Sequence, residues 1–306
     1  MADAVINNDW AYREPARQPP EATEVRRLYE DLWGQARPSS TPIPLSTVSE
    51  LSLSEMFPPM NAAGGENQQN EENATAGPDG FVREDLMISG LPAILAKIFN
   101  ILCYGSFLPS VWKENRTTPI PKINKPSSRV ENWRSITIGP IFSRILSSIL
   151  NGWIRRGVVL NLRQKGFTSE NGCKINIDML NAALRYSKRN RGGIFTIVNI
   201  SKAFDTIPHS ALRPYLARKD VPTPMIALIL GMYNGNHTKI KASDNIGVEV
   251  EILRGVKQSD PLSPLLFILR LEPLLETIEE ETGGININES RKVPVLALAD
   301  DVLVLG

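Results

Sequence analysis

The sequence predicts an α+β fold built on an antiparallel sheet. Two observations carry this. The elements read helices, strand, helices, hairpin, helix, hairpin, without the strict strand–helix alternation of a doubly wound sheet. The chain of 306 residues is 42% apolar, enough to bury a sizeable core. No apolar stretch approaches the 18 residues that suggest a membrane-spanning helix. The opening MADAVINNDW has neither a basic n-region nor an apolar core, so it is not read as a signal peptide. Cys103 and Cys173 belong to no CxxC or Cys/His cluster. That argues against zinc and against a disulfide scaffold, and predicts an intracellular compartment, with nucleus and cytoplasm not distinguished.

Taken in order, residues 1–75 form an N-terminal extension. Residues 1–20 and the polar stretch 61–76 are expected to pack on nothing, because their composition cannot offset ordering entropy, and the Pro/Ser/Thr-rich stretch 36–47 reads as a linker. Within the extension, ATEVRRLYEDLW has helical spacing from 22 to 33. AGPDGF, from 76, is a turn. Helices are predicted over 94–104, 141–157 and 175–191. NWRSITI, from 132, reads as a strand or strand entry. IFTIVNI, from 194, is a short apolar run and is expected to be a buried strand. Two helices follow over 211–218 and 224–233. Alternating strands at 238–242 and 248–253 are joined by a DNIG turn. RGVKQSDPLSP opens a helix over 265–281, which Gly283 and Gly284 end.

The chain closes on VPVLALADDVLVLG. Two β-rich runs flank Asp300 and Asp301, so a strand–turn–strand is expected with both carboxylates at its tip. Adjacent carboxylates repel unless a cation sits on them, which makes them a candidate metal site. Asp is also a common turn residue, so from this stretch alone a solvated turn is the favoured reading. Charge is distributed unevenly. Residues 113–192 carry 16 Lys and Arg against 4 Asp and Glu, whereas residues 1–112 carry 7 against 15. A block so basic is the footprint of a polyanionic partner.

WKENRTTPIPK, NWRSITI, NISKAFDTIPH, RGVKQSDPLSPLLF and LALADD follow one another in an order that resembles the reverse transcriptase domain of non-LTR (LINE-type) retrotransposons, closest to elements that insert into specific host sites such as ribosomal DNA. The resemblance covers residues 76–306. It implies a right-hand polymerase fold, with basic fingers over 76–192 and palm over 193–306. It also implies RNA-templated DNA synthesis on an RNA template and a DNA primer, with dNTP and two Mg2+ ions. Those ions sit about 4 Å apart and take oxygen ligands. By resemblance Asp300 and Asp301 are the hairpin carboxylates, Asp300 the firmer metal ligand. Lys122 and Arg134 would grip the triphosphate, as a point charge and a guanidinium fork suit phosphate oxygens. Phe204 would be the ring that excludes a 2′-hydroxyl, and Gln258 would lie under the nascent base pair. Arg163, Lys165 and the run Lys188 to Arg191 are candidates for template backbone contact.

Three positions depart from the family pattern. Asn199 stands where the palm-strand Asp is expected. That lowers the site charge from about −3 to about −2, and at close range one charge against Mg2+ is worth several kcal/mol. Ser259 follows Gln258 where Gly is usual, and Ser135 follows Arg134 where Pro is usual. Asp205 is read as a cap or turn carboxylate and not as a substitute ligand. The chain ends five residues past Asp301. Against the family pattern the thumb is then absent, and a truncated, catalytically impaired copy is expected. The alternative is a non-catalytic nucleic-acid-binding relic. The sequence leaves the oligomeric state open.

Overall fold

A computed structural model describes residues 21–34, 76–86, 88–122, 126, 129, 132–190, 192–241, 247–288 and 291–306. The expectations for residues 1–20, 36–47 and 61–75, and for the DNIG turn, lie outside the described residues.

The helices fall where apolar periodicity puts them. They are α1 (Ala22–Trp33), α2 (Leu91–Gly105), α3 (Ile141–Gly157), α4 (Gly172–Asn190), α5 (His209–Arg218), α6 (Thr223–Tyr233) and α7 (Ser263–Glu281). α3 lacks a cap of its own, since Pro140 precedes it. The cap is supplied from 62 residues upstream: the Ile141 amide donates to Asp79 Oδ2 at 2.9 Å. The AGPDGF turn thereby satisfies one of the donors that a helix start leaves open. α7 is the spine of the main core. Leu265, Leu266, Phe267, Ile268, Leu269 and Leu271 are all buried on it, against Leu146 and Leu150 of α3 and Leu212 and Leu216 of α5.

Two sheets flank this core. The larger has strand order β2-β1-β4-β5, from β1 (Glu114–Pro121), β2 (Trp133–Ile138), β4 (His237–Lys241) and β5 (Gly247–Glu251). Its β1–β4 pair is parallel, so this sheet is mixed and not purely antiparallel. β1 has no counterpart in the sequence reading because ENRTTPIP carries two prolines. The pairing explains their tolerance: β4 hydrogen-bonds β1 only over Glu114–Thr117, so Pro119 and Pro121 lie where β1 has β2 alone as a neighbour. α1 covers this sheet through Val25, Tyr29 and Trp33, packed on Ile240, Val248, Val250 and Ile252.

The smaller sheet has order β3-β9-β8, all antiparallel, from β3 (Phe195–Asn199), β8 (Val295–Leu298) and β9 (Asp301–Leu305). A short ribbon, β6 (Ile285–Asn286) with β7 (Lys292–Val293), leads into it. Here the expectation of a buried strand over 194–200 is corrected. β3 is the edge strand, and Ile194 and Ile197 are 70% and 79% exposed. Its apolar run covers residues that contact β9 along one edge only.

Candidate active site

β3 and β9 run antiparallel in a register that sets Asn199 opposite Asp301 and Val198 opposite Val302. β8 and β9 pair Leu298 with Asp301, so Ala299 and Asp300 form the turn between them. The tip therefore gathers Asp300, Asp301 and Asn199, from segments 102 residues apart. The Asn199 Nδ2 donates to Asp301 Oδ1 at 3.0 Å, an exposed contact. A carboxamide facing an ionised carboxylate turns its N–H side toward it. The face of Asn199 that could ligate a cation is then not the one turned to Asp301.

The donor set at the tip is two carboxylates and one carboxamide. Among the described residues no three His, Cys, Asp or Glu side chains form a group able to hold a metal ion. Two carboxylates suit one divalent cation whose remaining oxygens come from water and ligand; they do not make the three-anion set that the sequence resemblance implies.

Beyond β3 the chain drops into the interior. The 3-10 turn Phe204–Thr206 carries a partly buried Phe204, stacked on Phe267 at 5.0 Å between centroids and edge-on to Phe167 at 6.0 Å. The neighbouring Asp205 is 5% exposed. Burial raises its carboxyl pKa to about 6, against the opposing pull of the Lys202 ammonium, hydrogen bonds from Trp33 and Gln258, and the Lys122 ammonium. The Gln258 Nε2 donates to Asp205 Oδ2 at 3.3 Å. Close packing fixes this corner: the Gly255 amide donates to the Ile207 carbonyl, that of Val256 to the Phe204 carbonyl, and a Cβ on Gly255 would lie 2.9 Å from the Asp205 carbonyl oxygen. Asp205 is thus a buried bracket between the Gln258 loop and α1, a more specific role than a turn carboxylate. Sequence gave no sign of it, because its partners Trp33 and Gln258 are remote in the chain.

The other two departures also have partners. The Ser259 hydroxyl donates to the Thr137 carbonyl of β2, tying the Gln258 loop to the large sheet. Ser135 is buried on β2 and hydrogen-bonds Tyr29 of α1, whose phenol is raised to about 12 chiefly by its own burial. A proline could supply neither the hydroxyl nor the amide.

Lys122 lies just past β1, near enough to Asp205 to favour its ionised form, and Arg134 is exposed on β2. The proposed template contacts fare differently. Arg163 Nε is held by Glu279 at 2.7 Å and Lys165 Nζ by Glu170 at 2.7 Å, so both already have carboxylate partners. Lys188 and Arg189 end α4, and Arg191 lies outside the described residues.

One contributor to the tip is missing from the sequence reading. The loop before α4 runs along the outer edge of β8, where Gln164 bridges to Ala297 in parallel fashion. Gln164 is buried, and its side chain reaches the hairpin turn. The QKGF spelling reads as an ordinary loop, and a contact across 135 residues leaves no local signal.

Comparison with known proteins gives the family. Residues 120–306 match the family model described as reverse transcriptase (RNA-dependent DNA polymerase). The chain is 34% identical over 236 residues to the Pol polyprotein of the type-1 retrotransposable element R2 of Popillia japonica, covering 75% of this chain and 32% of that protein. It is 29% identical to the corresponding R2 polyprotein of Nasonia vitripennis, over 77% of this chain and 22% of that protein. The type-2 element R2DM of Drosophila melanogaster encodes a polyprotein 29% identical, over 76% of this chain and 22% of that one. The chain thus spans between about a fifth and a third of the length of these relatives.

Proposed function

The chain belongs to the reverse transcriptase (RNA-dependent DNA polymerase) family, and from that premise we propose that it is the fingers-and-palm part of an R2-type retrotransposon polymerase whose metal site has been weakened at Asn199. The fingers correspond to residues 76–192 and the palm to 193–306. Its substrates are then an RNA template, a DNA primer and dNTP. The observation that carries this reading is the register of β3 against β9, which sets Asn199 and Asp301 side by side. Divalent ions, which this family generally uses, supply charge neutralisation at the transferred phosphorus when bound. Asp300 and Asp301 are the residues that would hold one such ion. Asn199 supplies a neutral contact where a third anion would strengthen binding.

The remaining side chains position substrate. Arg134, exposed on β2, and Lys122 offer donors to a triphosphate. Phe204, braced by Phe267 and Phe167, is a rigid ring suited to excluding a 2′-hydroxyl. Gln258, held by Asp205, is the support for the nascent pair. Among the described residues no helix is long and apolar enough to cross a membrane.

A second reading, nucleic-acid binding without catalysis, draws on the same Asn199–Asp301 hydrogen bond, which leaves the tip short of one anion. Single-nucleotide addition on a primed RNA template, with Mg2+ and dNTP, separates the two. The weakened-polymerase reading expects slow addition by the unaltered chain that Asn199→Asp accelerates. No addition by either variant, alongside salt-dependent RNA binding, supports the second reading. Extension by the unaltered chain that Asn199→Asp leaves unchanged contradicts the role given to Asn199.

A further inference from the structure

The tip that carries Asp300 and Asp301 is held in an unfavourable backbone conformation. Ala299 has φ +54°, in the left-handed region, where a residue with a Cβ is strained. The same turn places two like charges side by side, which works against any compact arrangement of them. Something outside the turn must therefore fix it.

Gln164 is placed to do so. Its Oε1 accepts from the Ala299 amide at 2.8 Å and from the Gly166 amide at 2.7 Å. Its Nε2 donates to the Ala299 carbonyl at 3.1 Å. One neutral side chain thus engages both backbone groups of the strained residue. The flanking backbone joins in: the Lys165 amide donates to the Ala297 carbonyl at 2.9 Å, and the Ala297 amide donates to the Arg163 carbonyl at 3.1 Å. Gly166 is required by proximity, since a Cβ there would lie 2.2 Å from the Ala299 nitrogen.

The loop is itself anchored. Asn161, three residues before Gln164, donates its amide to Glu272 Oε1 at 2.7 Å and its Nδ2 to Glu279 Oε2 at 2.9 Å. Glu272 and Glu279 both lie on α7. A continuous set of contacts runs from the helical spine through Asn161 and Gln164 to Ala299, and so to the carboxylates.

We propose that Gln164 is a positioning residue for the carboxylate pair: it clamps Ala299 in its left-handed conformation and so sets the aim of Asp300 and Asp301. A neutral amide suits this task, because a charged side chain there would alter the field of the two carboxylates. The inference rests on the reading of Asp300 and Asp301 as a cation site, and its test separates the two claims.

The test uses the 306-residue chain, with Mn2+ as the probe, read by electron paramagnetic resonance, and amide hydrogen exchange at Ala299. Gln164→Met keeps the volume and removes all three hydrogen bonds. It is expected to speed exchange at Ala299 at least tenfold, leave the β9 ladder amides unchanged, and weaken Mn2+ binding about fivefold or more. Gln164→Glu retains an acceptor for both amides and is expected to keep Ala299 slow. If Gln164→Met does not fold, Gln164→Asn takes its place, one methylene too short to reach both amides, with the same accelerated exchange expected. Unchanged exchange and Mn2+ affinity in these variants, while Asp300→Asn loses Mn2+, would overturn the clamp and leave the site reading standing. Unchanged Mn2+ binding in Asp300→Asn would overturn the site reading, and exchange at Ala299 would still decide the clamp.

Discussion

β3 and β9 meet at the same hairpin tip and are held in opposite ways. β9 lies between two strands and sends Val302 and Leu305 into packed clusters, at 1% and 0% exposure. Its partner β8 is buried and has Gln164 along its outer edge. β3 is an edge strand whose Ile197 is 79% exposed, and it meets the tip through backbone pairing and one exposed amide contact. The difference teaches where precision resides at this site. The carboxylates are fixed by a buried, clamped hairpin, whereas Asn199 is delivered by a strand held through its ladder and its ends. A substitution at residue 199 therefore changes the chemistry of the tip while leaving the packing that aims Asp300 and Asp301 intact.

The strongest way to break this contrast is to truncate the packed strand. Leu305→Ala removes a fully buried side chain from β9 and is expected to cost about 3 to 4 kcal/mol of stability by denaturant titration. A loss under about 1 kcal/mol would show that β9 is no better packed than β3.

Asp205 tests how the far end of β3 is anchored. Its folded pKa, about 6, lies above the ordinary carboxylate value of 3.8, so the folded state holds this proton more tightly than the unfolded one. Stability from this group is then fully present below about pH 4 and is lost as pH rises through about 6. Asp205→Asn keeps an acceptor for Trp33 and Gln258 and carries no charge to bury. It is expected to match the parent near pH 4 and exceed it by about 2 to 3 kcal/mol at pH 7. A difference independent of pH would mean that Asp205 is not buried beside β3 as described.

The smallest effect should come from β3 itself. Ile197→Ser is expected to change stability by no more than about 0.5 kcal/mol, because the side chain leaves little surface covered. A cost above about 2 kcal/mol would mean that the exposed face of β3 is covered in solution.

The same contrast separates what could be read from sequence from what could not. α1 and α3 were legible to the residue, since each has a single apolar stripe bounded by breakers. The hairpin tip was legible because two carboxylates interrupt an apolar run, and the register that sets Asn199 opposite Asp301 brings the strand end to it. β3 misled because an apolar run reports composition and not which sheet edge it occupies. β1 was hidden by prolines that only its pairing register explains. Gln164 and the Asp205 bracket act through partners more than 50 residues away, and neither helical nor strand periodicity encodes such contacts.

The claim that matters most is that Asn199 occupies a ligand position beside Asp301 on an otherwise intact tip. Mn2+ binding to the unaltered chain and to Asn199→Asp tests it most directly, at matched ionic strength and with both variants checked for folding. A third carboxylate should tighten binding about tenfold or more, about 1.4 kcal/mol, because oxygen anions dominate the affinity of hard cations. Equal affinity in two folded variants would contradict the account, for Asn199 would then be a neighbour of Asp301 in the sheet and nothing more.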